Sequence, residues 1–118
     1  METIDLAIIT VQRNGDVSSF SPELAGATSL EFEDFVLGNI KTDTLESIVM
    51  QRAFLTLQKQ VAQSIENCRI SCGYFAVCGG GFISNKYFEN GTITSTQTIT
   101  CRLHRQALAS VLLDKLTL

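Results

Sequence analysis

Residues 6–11 (LAIITV) form an apolar run rich in β-branched side chains, which predicts a strand. Asn14 and Gly15 follow, a pair that supplies the positive φ angles of a tight hairpin turn, and residues 16–20 read as the returning strand. Ser21, Pro22 and Glu23 predict a short helical turn, with serine as cap, proline in the first turn and Gly26 close behind. Residues 30–35 (LEFEDF) alternate apolar with acidic positions and predict an exposed strand or extended arm. Leu37, Gly38, Asn39 and Ile40 predict a turn into the longest element. There Leu45, Ile48, Val49, Ala53, Leu57, Val61 and Ile65 recur at spacings of three and four, which predicts a helix over 43–66. Thr42 or Asp43 is its expected cap, with Glu46 three residues after Asp43. So long a run of fours drifts around the helix axis, implying a rotated buried face or a bend. Residues 68–81 are too glycine-rich to continue the helix. Asn90 and Gly91 mark a second turn, 92–100 (TITSTQTIT) reads as extended or loop, and Leu103, Ala107, Leu108, Val111, Leu112 and Leu116 predict a closing amphipathic helix. The pattern as a whole predicts a small α+β domain. Its hairpin and lead-in span 1–41, the long helix 42–67, a cysteine-rich region 68–101 and the C-terminal helix 102–118.

Composition narrows the class. The 118 residues suffice for one small domain. Apolar residues make up 45% and charged residues 18%, so the chain does not read as disordered. The net charge is −3 and the nine basic residues are scattered, which argues against a nucleic-acid partner. No stretch approaches the roughly 18 apolar residues of a membrane helix. The N-terminal apolar run has acidic flanks and lacks the basic region of a signal peptide. The cytoplasm is therefore the expected compartment. Thiols stay reduced there, and clustered cysteines bind metal more often than they pair.

Four cysteines stand at Cys68-x3-Cys72-x5-Cys78-x22-Cys101, with Gly79, Gly80 and Gly81 directly after the third. Four thiolates are what a [4Fe-4S] cluster takes, one for each iron. Glycines beside a ligand let the backbone approach closely, and Tyr74, Phe75 and Phe82 are placed to shield such a site. Zinc would take the same four thiolates, and C-x3-C lies within its usual spacing, although the x5 step is less typical. Four unligated buried thiols, or a disulfide, are the remaining readings. His104, the single histidine, fits a surface or packing role at a helix start better than a ligand role. The glycine triplet lacks the context of a phosphate loop. Glu31, Glu33 and Asp34 fit a solvated face before a peptide-binding one. Asn85, Lys86 and Tyr87 follow the cysteine loop as candidates for either substrate contact or packing.

The stretch from Cys68 to Cys101, with CGYFAVCGGGFISNKYFENGT inside it, resembles the C-terminal SPASM region of radical S-adenosylmethionine peptide maturases. It is most similar to the cyclophane-forming type that modifies ribosomal precursor peptides. The earlier stretches RNGDVSSFSPELAG and FVLGNIKTDTLESI resemble the hairpin and lead-in that precede the cysteines in that family. The likeness runs from about residue 9 to 112. It implies an auxiliary domain that holds an iron–sulfur cluster, with a precursor peptide and a radical S-adenosylmethionine catalytic domain as partners.

The resemblance carries over residue by residue. Such regions generally carry two auxiliary [4Fe-4S] clusters. Cys68, Cys72, Cys78 and Cys101 match the ligand set of the second, with a first gap one residue longer than the general pattern. The remaining positions of the pattern fall on Phe82 and, at the end of G-x4-C, on Phe20. One cluster is therefore the expectation. The C-x3-C-x2-C motif that cleaves S-adenosylmethionine is incomplete, and a triose-isomerase-like barrel needs roughly 200 residues or more. The chain is thus expected to be a detached domain, an expressed piece or a stand-alone remnant, inactive alone. The contrasting expectation is a non-catalytic peptide- or protein-interaction module with a structural zinc or no metal.

Overall fold

The computed structural model describes residues 4–116. The fold is small α+β, a three-stranded antiparallel sheet followed by helices. By compactness it divides into two units, the first ending at Ala62 and the second beginning at Gln63.

In the first unit, β1 (Ile9–Val11) pairs with β2 (Asp16–Ser19), Val11 opposite Val17 and Ile9 opposite Ser19. The predicted hairpin forms, but with a longer turn. Gln12 N–H reaches the Asp16 carbonyl at 2.8 Å, leaving three residues in the loop, and only Gly15 takes a positive φ, of 93°. Asn14 contributes its side chain instead, accepting from Asp16 N–H at 3.0 Å. The expected short turn after Ser21 is the single 3₁₀ turn Pro22–Leu24.

Residues 30–35 are corrected by the structure. They form no strand; Phe32 and Phe35 turn inward and stack at 5.3 Å, while Glu33, Asp34 and Phe35 all take φ between 52° and 59°. Burying two phenylalanines three residues apart requires a reversal that an alternating strand cannot make. Leu37, Gly38, Asn39 and Ile40 are likewise more than a turn. Gly38 and Asn39 form β3 (Gly38–Asn39) against β2. The Asn39 side chain ties to the Asn14 carbonyl and to Asp16 Oδ1, at 3.2 and 3.0 Å.

Gly38 is held by space. A Cβ there would stand 2.6 Å from Ile48 Cγ1, on a side chain 1% exposed, and 3.1 Å from Asp43 Oδ2. Gly38→Ala is expected to cost about 1–3 kcal/mol through overpacking. Urea unfolding measures this; a change below about 0.5 kcal/mol would mean that Ile48 yields freely.

The predicted helix over 43–66 is two helices. Thr44, not Thr42 or Asp43, caps α1 (Leu45–Met50): its hydroxyl accepts from Ser47 N–H at 3.1 Å, and Ser47 Oγ accepts from Thr44 N–H at 2.9 Å. Asp43 instead accepts from Asn39 N–H and the Gln51 amide. Gln51 is extended (ψ 151°), and α2 (Arg52–Ser71) starts afresh, running five residues past the expected end. The buried positions of α2 are Phe54, Leu57, Val61, Ser64 and Cys68, alternating steps of three and four. This stripe stays on one face, which the predicted run of fours through Ala53 and Ile65 does not.

The apolar residues buried in the first unit are Val17, Phe20, Leu24, Phe32, Phe35, Leu37, Ile48, Phe54, Leu57 and Val61. Among the described residues of the second unit, only Cys68, Ile83, Ile93 and Ala109 join them. The second unit has helices without much core.

Candidate functional site

The second unit begins on the last turns of α2, so Cys68 sits on helix, not in a loop as the glycine content of 68–81 predicts. The buried stripe explains this, because Cys68 occupies its next inward position. Cys72 follows the helix end, its N–H still bonded to the Cys68 carbonyl at 2.9 Å. A single turn, α3 (Phe75–Cys78), carries Cys78 and stops at three successive glycines with φ of 73°, 117° and 72°. The φ of 117° at Gly80 lies well outside the left-handed region open to residues with a Cβ, which favours glycine there. The chain then enters α4 (Ile83–Asn90), closed by Gly91 as a left-handed cap. Asn90 and Gly91 thus end a helix, and the Asn90 amide also reaches the Gln97 carbonyl at 2.7 Å.

Residues 92–98 are loop. They are tied down by Asn67 donating to the Thr94 carbonyl and by Glu89 accepting from Ile99 N–H. This delivers Cys101 to a π-helical stretch, Cys101–Gln106, which leads into α5 (Ala107–Leu116). Such widened turns often occur where a helix residue must be re-aimed at a site. The apolar stripe predicted for the closing helix is not buried. Leu103, Leu108, Val111, Leu112 and Leu116 are all more than half exposed, and Ala109 is the inward residue. His104 is exposed, as its surface reading implies.

Cys68, Cys72, Cys78 and Cys101, from four separate segments, line one pocket together with Phe75, Gly80, Gly81, Phe82 and Lys86. Its atom-free space is about 310 Å³, open solvent at the mouth included. Cys68 is buried, the other three are partly so, and all four thiols are free. Among the described residues, no three Cys, His, Asp or Glu side chains are gathered closely enough to hold a single metal ion. The thiols share a cavity, not a point. Phe82 is 39% exposed, with the Arg105 guanidinium 5.4 Å above its ring. Phe20 is fully buried in the first unit and stacks on Phe54.

The electrostatics of the pocket are those of crowded thiols. Burial pushes the Cys101 thiol above the usual cysteine range, a hydrogen bond from the Thr98 backbone opposes this, and negative charge on Cys78, Cys72 and Cys68 raises it further. The Gln106 amide lies 3.8 Å from Cys72 Sγ and 3.7 Å from Cys101 Sγ. Lys86 is 2% exposed, and its ammonium donates to Ser64 Oγ at 2.7 Å and to Cys68 Sγ at 3.2 Å. Sequence reasoning singled out Lys86 for substrate contact or packing and missed Ser64 and Gln106. Ser64 was detectable as the polar member of the stripe Phe54, Leu57, Val61, Ser64, Cys68; Gln106 left no such signal.

The donor set, four thiols without a carboxylate, is of the soft kind that thiolate-bound metals and clusters take. Such a cluster takes one thiolate at each of several irons, so its ligands surround a volume and need not meet at one atom. The pocket offers soft sulfur donors, no carboxylate, an aromatic rim and one buried cation.

The fold and the pocket define a small α+β chain whose second unit gathers four thiols. A similar chain is the uncharacterized protein sll1766 of Synechocystis sp. (strain ATCC 27184 / PCC 6803 / Kazusa), 39% identical over 110 residues. The match covers 93% of the present chain and 28% of that protein, so the chain spans little more than a quarter of its relative's length. No protein-family model matches the chain, and no solved structure does. Among the described residues, no helix is long and apolar enough to cross a membrane.

Proposed function

We propose that this chain is an auxiliary iron–sulfur domain of the SPASM type, holding one [4Fe-4S] cluster through Cys68, Cys72, Cys78 and Cys101. Its role is to position a precursor peptide, or to pass electrons, beside a radical S-adenosylmethionine catalytic domain. It carries out no chemistry alone. The observation that carries this reading is the convergence of four thiols, separated by gaps of three, five and 22 residues, on one pocket. The relative's length is in keeping with it. If 110 matched residues are 28% of that protein, it has about 390 residues and about 280 lie outside the match, enough for a barrel of about 250 residues. A more polar groove shares Cys72 and Thr96 with the pocket and adds Gln97 and Gln106, a suitable lining for a peptide backbone. The cytoplasm suits the proposal, since thiols stay reduced there.

The test is anaerobic purification followed by iron, sulfide and spectral analysis. About four irons per chain and a broad absorption at about 400 nm are expected. S-adenosylmethionine cleavage by the chain alone would overturn the non-catalytic part. A colourless protein holding one zinc or none would favour the second reading, an interaction module. The exposed apolar residues of α5, from Leu108 at 55% to Leu116 at 80%, are the observation on its side.

A further inference from the structure

Lys86 is the one described lysine that is buried, and no carboxylate meets it. Its ammonium bonds a hydroxyl and a thiol sulfur. Ser64 and Cys68 lie four residues apart, on the same face of α2, and Lys86 spans to both from α4. A buried ammonium is costly unless an anion balances it. Lys86 also lines the pocket, so its charge acts on whatever the pocket holds.

We propose that Lys86, oriented by Ser64, is the built-in counter-cation of the site at its Cys68 corner, and that it favours addition of an electron there. The inference rests on the cluster reading. One electron entering a thiolate-bound cluster increases its negative charge by one, and no proton or bond need move. A fixed positive charge in contact with one of the ligand sulfurs stabilises the more negative state. Lys86 is in this sense a positioning and tuning residue, not a catalytic one.

The experiment compares wild type, Lys86→Met and Lys86→Arg as full chains. Each is reconstituted without oxygen, analysed for iron and sulfide, and titrated with dithionite against redox mediators. Methionine keeps much of the volume and removes the charge; arginine keeps the charge. In Lys86→Met the reduced-to-oxidised ratio at a fixed solution potential is expected to fall at least tenfold, about 59 mV for a one-electron couple. Loss of iron in Lys86→Met with retention in Lys86→Arg also supports the proposal, because charge is then what holds the site together. Equal potentials in wild type and Lys86→Met, or loss of iron in both variants, would overturn it and leave the cluster reading standing. A wild-type chain that takes up no iron would overturn both.

Discussion

Cys72→Ala is expected to purify colourless, with less than about a tenth of the wild-type iron, and to lose order in the second unit alone. The reason is the unequal core. Among the described residues the first unit buries ten apolar side chains, four of them phenylalanines (Phe20, Phe32, Phe35 and Phe54); the second buries Cys68, Ile83, Ile93 and Ala109. Four inward side chains, one of them a thiol and one an alanine, bury too little apolar surface to offset the ordering of some fifty residues. On the proposed reading a ligated cluster would supply the missing cross-links, joining α2, the segment after it, α3 and the π-helical stretch. Hydrogen exchange by mass spectrometry reads this directly. Amides in 63–116 should exchange at least about tenfold faster in Cys72→Ala, while those of β2 and α1 keep their protection. Removing iron from the wild type with a chelator should give the same pattern. Unchanged protection in 63–116 after iron loss would show that the unit stands on its own packing and has no need of the staple. Cys72 is the informative choice because it is only partly buried, so its loss leaves a smaller cavity than loss of Cys68.

The second large effect is at Phe20. Its side chain is fully buried and stacked 6.3 Å from Phe54, so Phe20→Ala should cost about 3–5 kcal/mol. Its backbone adds an unusual sign. Phe20 has φ of 65°, a left-handed conformation that non-glycine residues adopt at a cost of about 1 kcal/mol or more. Glycine normally destabilises by about 0.5–1 kcal/mol relative to alanine within regular structure; at position 20 that penalty should vanish or reverse. Phe20→Gly is therefore expected to be no less stable than Phe20→Ala in urea unfolding. A Phe20→Gly chain clearly weaker than Phe20→Ala would mean that the backbone relaxes out of the left-handed region once the ring is gone. The same residue stands where the pattern of the resembled SPASM regions has a cysteine. Here it anchors hydrophobic packing.

Much was legible in local signals. The apolar β-branched run, Asn14 and Gly15, the proline after Ser21 and the three-and-four spacing identify a hairpin, a short turn and a long helical region, and all three exist. The errors share a cause. The acidic alternation of 30–35 is a surface pattern only if the backbone stays extended, and burial of Phe32 and Phe35 reverses it. The cap of α1 moved to Thr44 because Asp43 was engaged by Asn39 and Gln51, a contact set by β3. The end of α2 moved past Cys68 because inward packing outweighed the glycines further on.

From spacing and residue type alone come a small α+β chain, four thiols in a defined order and a glycine triplet, because turns, caps and helix periodicity are local and leave their mark in neighbouring residues. The convergence of those thiols is another matter. Cys101 lies 33 positions from Cys68, and only the tethered loop at 92–98 and the π-helical stretch bring it to the pocket. The buried Lys86 is a stronger case still. Nothing in NKYF distinguishes a lysine facing solvent from one facing a thiol; its partners come from another helix, and packing, which is non-local, turned it inward.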